Sequence, residues 1–199
     1  MLLDMFPVRT YTTEIKLEES DKSKINDFLL TLFDSVNDSN HALEAGGKST
    51  HSVNKELHNE ELFLPLVTKI YQNLLHYWNE AGFSPGCRPK IVSMWANIHN
   101  KDDYTVEHSH TTHVLAGCYY LKFNSDAGSI VFVNPNEYAQ HYYPYSEAGK
   151  VNDMHYTVHG AEDKLILFPA HVKHYTEVNN SNDVRISINF NVDQEAIDD

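Results

Sequence analysis

From Lys90 onward the chain is written in short apolar or alternating runs. "KIVSMWANIH", "THVLAGCYYLKF", "GSIVFVNP", "KLILFPAH" and "VRISINFNV" follow one another, separated by clusters of Asn, Asp, Gly and Ser. Runs of this length with turn residues between them predict an all-β sandwich or barrel. The chain has 199 residues, enough for one domain with a full core. The stretch before residue 90 reads differently. "FPVRTYTTEIKL" alternates weakly and predicts a first strand. "ESDKSKINDFLLTLFDSV" carries Ile25, Phe28, Leu29, Leu32 and Phe33 on one helical stripe, with Asp21 or Ser23 as N-cap. "NDSNHALEAGGKSTHSVNKE" is polar and reads as a loop. "ELFLPLVTKIYQNLLHYWNEAGF" predicts a second amphipathic helix, with Pro65 in its first turn and Gly82 at its end. The expected architecture is mainly β with flanking helices, a jelly roll. One domain spans residues 1–199: a strand and two supporting helices over 1–89, and the jelly-roll core over 90–192. Residues 134–163 form one long polar connection rich in tyrosine (Tyr138, Tyr142, Tyr143, Tyr145, Tyr156). A connection of that length predicts a mobile lid.

Charge and composition narrow the function. Lys and Arg number 15 and Asp and Glu 28, a net charge of −13. Such a surface repels phosphate backbones and disfavours a nucleic-acid partner. No apolar run approaches the roughly 18 residues that span a bilayer, so no membrane partner is expected. The start, "MLLDMFPVRTY", lacks the pattern of a signal peptide. Cys87 and Cys118 are the only cysteines, and Cys118 sits in an apolar, strand-like run. Both features fit a reducing cytoplasm. Histidine is abundant, at 13. A transition-metal site here must be built from imidazole and oxygen ligands.

"VEHSHTTHVLAGCYYL", residues 106–121, is where such a site is expected. On a strand, side chains alternate, so His108 and His110 point the same way and form a two-point chelate, with His113 out of phase. A third ligand has to arrive from another segment. His174 in "FPAHVKHYTEV" follows an apolar strand and a proline-marked turn, and His171 is its competitor. In "VRISINFNV", Ile186, Ile188, Phe190 and Val192 share one face, and Arg185, Ser187, Asn189 and Asn191 the other. That polar face is either solvated or the lining of a pocket. In a pocket, Arg185 offers a planar fork for a carboxylate, with the Ser187 hydroxyl beside it.

On these residues the chain resembles the Fe(II)/2-oxoglutarate-dependent oxygenases of double-stranded β-helix fold, and within them a family of small oxygenases found in phages and bacteria. The matching stretches are "MFPV", "SMWANIH", "HSHTTHVLAGCYYL", "GSIVFVNP", "LILFPAHVKH" and "RISINFN". The resemblance implies Fe(II) at His108, His110 and His174, and 2-oxoglutarate as cosubstrate with O2. It implies that Arg185 and Ser187 hold the distal carboxylate, that Tyr120 in "CYYL" reaches the same carboxylate, and that Asn97 in "WAN" serves the other end of the cosubstrate. His110 stands where the superfamily usually has Asp or Glu. The implied activity is hydroxylation of a protein residue or a small molecule in a phage or bacterial cytoplasm, by a monomer or homodimer. Two other readings stay open. A cupin-like three-histidine dioxygenase would have no need of the Arg185 and Ser187 pair. A non-catalytic jelly-roll binding protein would close its metal with four protein ligands.

Overall fold

A computed structural model describes residues 7–36, 43–136 and 154–197. Its elements are, in order, β1 (Tyr11–Glu14), α1 (Glu19–Ser35), β2 (Glu44–Ala45), β3 (Lys48–Ser49), α2 (Leu64–Ala81), β4 (Cys87–His99), β5 (Tyr104–Thr105), β6 (Leu115–Lys122), β7 (Ile130–Val133), β8 (His155–Val158), β9 (Lys164–Pro169), β10 (His174–Thr176) and β11 (Arg185–Ala196). Six strands form an antiparallel major sheet in the order β1-β9-β6-β11-β4-β3. A second sheet runs β10-β7-β8, and β2 pairs with β5. These opposed sheets are the jelly roll that the run pattern predicts.

The core lies on both sides of the major sheet. On one side, Ile25, Leu29 and Phe33 of α1 and Leu66, Ile70 and Leu74 of α2 pack against Met94, Leu167, Ile188 and Phe190. Phe190 is fully buried, and its ring lies over Gly117, where a Cβ would fall 2.2 Å from a ring carbon. Only glycine fits there. On the other side a smaller cluster of Cys118, Ile130, Phe132, Ile166 and Phe168 joins the two sheets.

Four expectations need correction. Helix α1 starts at Glu19 with Glu18 as N-cap and no side-chain cap bond, so neither Asp21 nor Ser23 caps it. Asp21 sits in the first turn instead, where a negative charge complements the helix dipole. The polar stretch read as a loop holds β2, β3 and a 3-10 turn at Thr50–Ser52. Its polar side chains are buried because they have partners: Thr50 Oγ1 accepts from the Ala96 N–H. The connection 134–163 contains β8, which pairs with β7 and leaves His155 and Tyr156 exposed, hence its polar reading. Residues 137–153 of the expected lid lie outside the described residues. Finally, β6 begins only at Leu115, so His108 and His110 precede it.

Candidate metal centre and its cavity

His108 and His110 come together without a continuous strand. His108 forms an isolated antiparallel bridge with His174. Its N–H donates to the His174 carbonyl at 3.0 Å, and the His174 N–H returns a bond of 2.9 Å. The His110 N–H donates to the Ala170 carbonyl at 2.8 Å. This short ladder brings ring nitrogens of His108, His110 and His174 within 4.8 Å of one another. The Nδ1 of His108 meets the Val106 carbonyl at 2.8 Å, and that of His174 meets the Val172 carbonyl at 2.9 Å. A carbonyl only accepts, so each Nδ1 carries the hydrogen and each Nε2 keeps its lone pair for a ligand. Burial pushes His110 down to about 4 and His174 to about 3, with the adjacent His108 adding to both. Both rings are therefore neutral near pH 7, as metal ligands must be. His113 turns away to the Asp193 carboxylate, and His171 is exposed.

The polar face of β11 is not solvated. Arg185, Ser187 and Asn191 are buried and Asn189 half-buried, beneath the second sheet. Strand register arranges this face in rungs. Arg185 pairs with His99; Ser187 with Asn97 and Tyr120; Asn189 with Trp95 and Cys118; Asn191 with Ser93 and Ala116. The Trp95 ring stacks on His110 at 5.9 Å, so the histidines sit over the rungs farthest from Arg185. A single cavity is lined by all three histidines, Tyr120, Arg185 and Ser187.

Arg185 is 1% exposed. Its guanidinium donates to the carbonyls of Ala127, Gly128 and Glu177 and to Thr176 Oγ1. Gly128, at φ +76°, makes the turn that aims two of these carbonyls, and a Cβ there would lie 2.5 Å from the Glu177 oxygen. None of these partners is a carboxylate, so the guanidinium is held by dipoles, and the carboxylates of Glu44 and Asp103 act on it only through space. Near it the Tyr120 hydroxyl is buried without a well-formed hydrogen bond, although the Cys118 thiol and the Ile130 backbone lie beside it. Burial pushes its pKa well above the ordinary tyrosine value, which keeps the proton on and the group a donor. Ser187 Oγ accepts from Asn189 Nδ2 at 3.2 Å, leaving its own hydrogen to give. The donors at this end suit an oxygen-rich anion, and the lone pairs at the other suit a divalent cation.

Asn97 and Glu44 complete the wall. Glu44 accepts from Asn97 Nδ2 at 2.8 Å, from Thr105 Oγ1 at 3.0 Å and from His99 Nε2. Asn97 Nδ2 spends one of its two hydrogens on Glu44, and its Oδ1 is buried without a partner. Sequence reading missed Glu44 and Thr176. Glu44 lies in the polar stretch before α2, and nothing local marks it as buried.

Residues 93–191 match the family model described as "Putative 2OG-Fe(II) oxygenase". No curated protein matches the chain. Among solved structures it is similar to an oxidoreductase of the 2OG-Fe(II) oxygenase family from Burkholderia pseudomallei (10% identity, 92% of this chain and 84% of that one, TM-score 0.60). It is similar also to a Pseudomonas putida prolyl-4-hydroxylase (9%, 94% and 93%, TM-score 0.60). A third is HygX from Streptomyces hygroscopicus, solved with nickel, 2-oxoglutarate and hygromycin B (10%, 92% and 82%, TM-score 0.60). At these identities the structures speak for the fold alone, while the family match takes in His108, His110, His174, Arg185 and Ser187. The chain belongs to the 2OG-Fe(II) oxygenase family, a class of iron- and 2-oxoglutarate-dependent oxidoreductases.

Proposed function

We propose that this oxygenase hydroxylates a residue of a partner protein or a small molecule, with Fe(II) held by His108, His110 and His174. The observation that carries the reading is a buried Arg185, with no carboxylate among its hydrogen-bond partners, in the same cavity as three clustered imidazoles. 2-Oxoglutarate is a dianion with a chelating end and a plain carboxylate end. Arg185, Ser187 and Tyr120 would hold the plain carboxylate by charge-assisted hydrogen bonds, and the chelating end would face the histidines. When bound, Fe(II) with 2-oxoglutarate and O2 supplies an oxidant able to break a substrate C–H bond, leaving succinate and CO2. The chain's own part is to position and to exclude water. Val106 and Val172 fix the tautomers of His108 and His174, and Trp95 buttresses His110. The single domain, with its helices behind the major sheet, is a scaffold for this face. A phage or bacterial cytoplasm is the proposed setting; no helix among the described residues is long and apolar enough to cross a membrane.

A three-histidine dioxygenase that does without 2-oxoglutarate would have no use for a buried guanidinium. Anaerobic titration of the Fe(II) protein with 2-oxoglutarate, followed by the metal-to-ligand charge-transfer band, separates the two. Charge-assisted hydrogen bonds contribute about 1.5–3 kcal/mol each. Arg185→Ala should therefore raise the cosubstrate Kd by about tenfold to a hundredfold while leaving metal binding intact. Arg185→Lys should also weaken it, since an ammonium lacks the planar fork. An unchanged titration in Arg185→Ala would remove the 2-oxoglutarate reading.

A further inference from the structure

Two of the three histidines share one device. His108 and His174 each spend Nδ1 on the backbone carbonyl two residues earlier, which fixes the ring and aims Nε2. His110 makes no such bond, although its backbone is tied to Ala170. An imidazole that ligates a metal through one nitrogen carries a hydrogen on the other, and a half-buried hydrogen of that kind needs an acceptor. One stands beside it. Asn191 is 6% exposed, and its Oδ1 is buried without a hydrogen-bond partner. Its Nδ2 donates to Ser93 Oγ at 3.0 Å, directly across the β11–β4 pair. That bond turns the amide so that the carbonyl oxygen is the free end. Asn191 lies one rung beyond Asn189, whose cross-strand partner Trp95 stacks on His110, so its amide sits at the His110 end of this face. The β11–β4 register shifts between Asn191 and Val192. Irregularities of this kind re-aim a side chain next to a site.

We propose that Asn191, oriented by Ser93, is the positioning residue of His110: it accepts the ring N–H that ligation leaves behind and so makes a third imidazole workable where the superfamily usually has a carboxylate. The inference rests on the metal reading above. Asn191 touches neither substrate nor cosubstrate and acts only through His110.

Cobalt(II) titration of the metal-free protein, read by its d–d absorption, tests this. Asn191→Leu keeps the volume and removes the acceptor. It should weaken Co(II) binding about ten- to a hundredfold, the usual effect of losing a partner behind a metal-bound histidine. Ser93→Ala, which frees the amide to turn, should give a smaller loss in the same direction. Asn191→Asp supplies a stronger acceptor, so it should bind Co(II) more tightly than wild type and shift the band. His113→Ala should leave both affinity and spectrum alone. Wild-type affinity in a folded Asn191→Leu protein would overturn the proposal. If that variant does not fold, wild-type affinity and spectrum in Asn191→Asp would do so instead. A wild-type protein that binds no Co(II) would sink the triad itself, which separates failure of the metal reading from failure of this one.

Discussion

Strand β11 shows opposite sides of itself to two different neighbours, and both sides are buried. Ile186, Ile188, Phe190 and Val192 meet the helices and are fully enclosed. Arg185, Ser187 and Asn189 meet the second sheet across a cavity, and Asn191 lies buried on the same side. The apolar side is finished as it stands, because its four side chains need only contact and the helices supply it. The polar side is left open. The Tyr120 hydroxyl, Asn97 Oδ1 and Asn191 Oδ1 are buried without a well-formed hydrogen bond, and Arg185 bonds to dipoles but to no carboxylate. A buried unsatisfied group costs about 1–3 kcal/mol. The first side thus stabilises the fold, and the second holds stability in reserve for whatever binds there.

That contrast can be broken from either side. The largest effect is expected at the cavity. His174→Ala should abolish stoichiometric Fe(II) or Co(II) binding by metal analysis, yet leave the melting of the metal-free protein within a few degrees of wild type. Loss of fold in this variant would mean that the polar side is structural after all. On the helix side, Phe190→Ala should cost about 3–5 kcal/mol in denaturant unfolding, with its ring space over Gly117 left empty. A third effect is one of pH. In the unfolded chain His110 and His174 take up protons near 6.5, but in the folded protein only near 4 and 3. Between these values the unfolded state binds more protons, so the metal-free protein should lose stability as pH falls from about 6.5 towards 4. Urea midpoints across that range should drop, and drop less in His174→Ala. The smallest effect separates the sides most sharply. Tyr120→Phe removes a hydroxyl without a well-formed hydrogen bond, so metal-free stability should hold or rise by about 1 kcal/mol while 2-oxoglutarate binds several-fold more weakly. A clear destabilisation would show that the hydroxyl has a partner in solution.

The apolar side was the legible one. Alternation in "VRISINFNV" and the 3.6-residue stripe of α1 are properties of the residues themselves, and Pro65 and Gly82 bound α2 as expected. Burial of the polar side was not written in the strand. It depends on β7 and β10 arriving above it, which period-two patterning cannot foresee. The histidine set shows a different limit. Alternation along a strand would place His108 and His110 together, and the structure does bring them together, but through a bridge and a loop rather than a strand. Glu44 illustrates the deepest gap. A glutamate in a polar stretch reads as solvated until Asn97, His99 and Thr105 are seen to converge on it.

The bonds that place the three histidines are made by main chain: 108 with 174 in both directions, and 110 with 170. Main-chain bonds are indifferent to the side chain they carry. Position 110 is therefore a socket, and what is plugged into it can change without the socket moving. Seen this way, an H-x-H oxygenase and an H-x-D oxygenase need not be separated by any rearrangement of the fold. A single substitution at 110, with the residue behind it adjusting in turn, is a short evolutionary step from one charge on the centre to another.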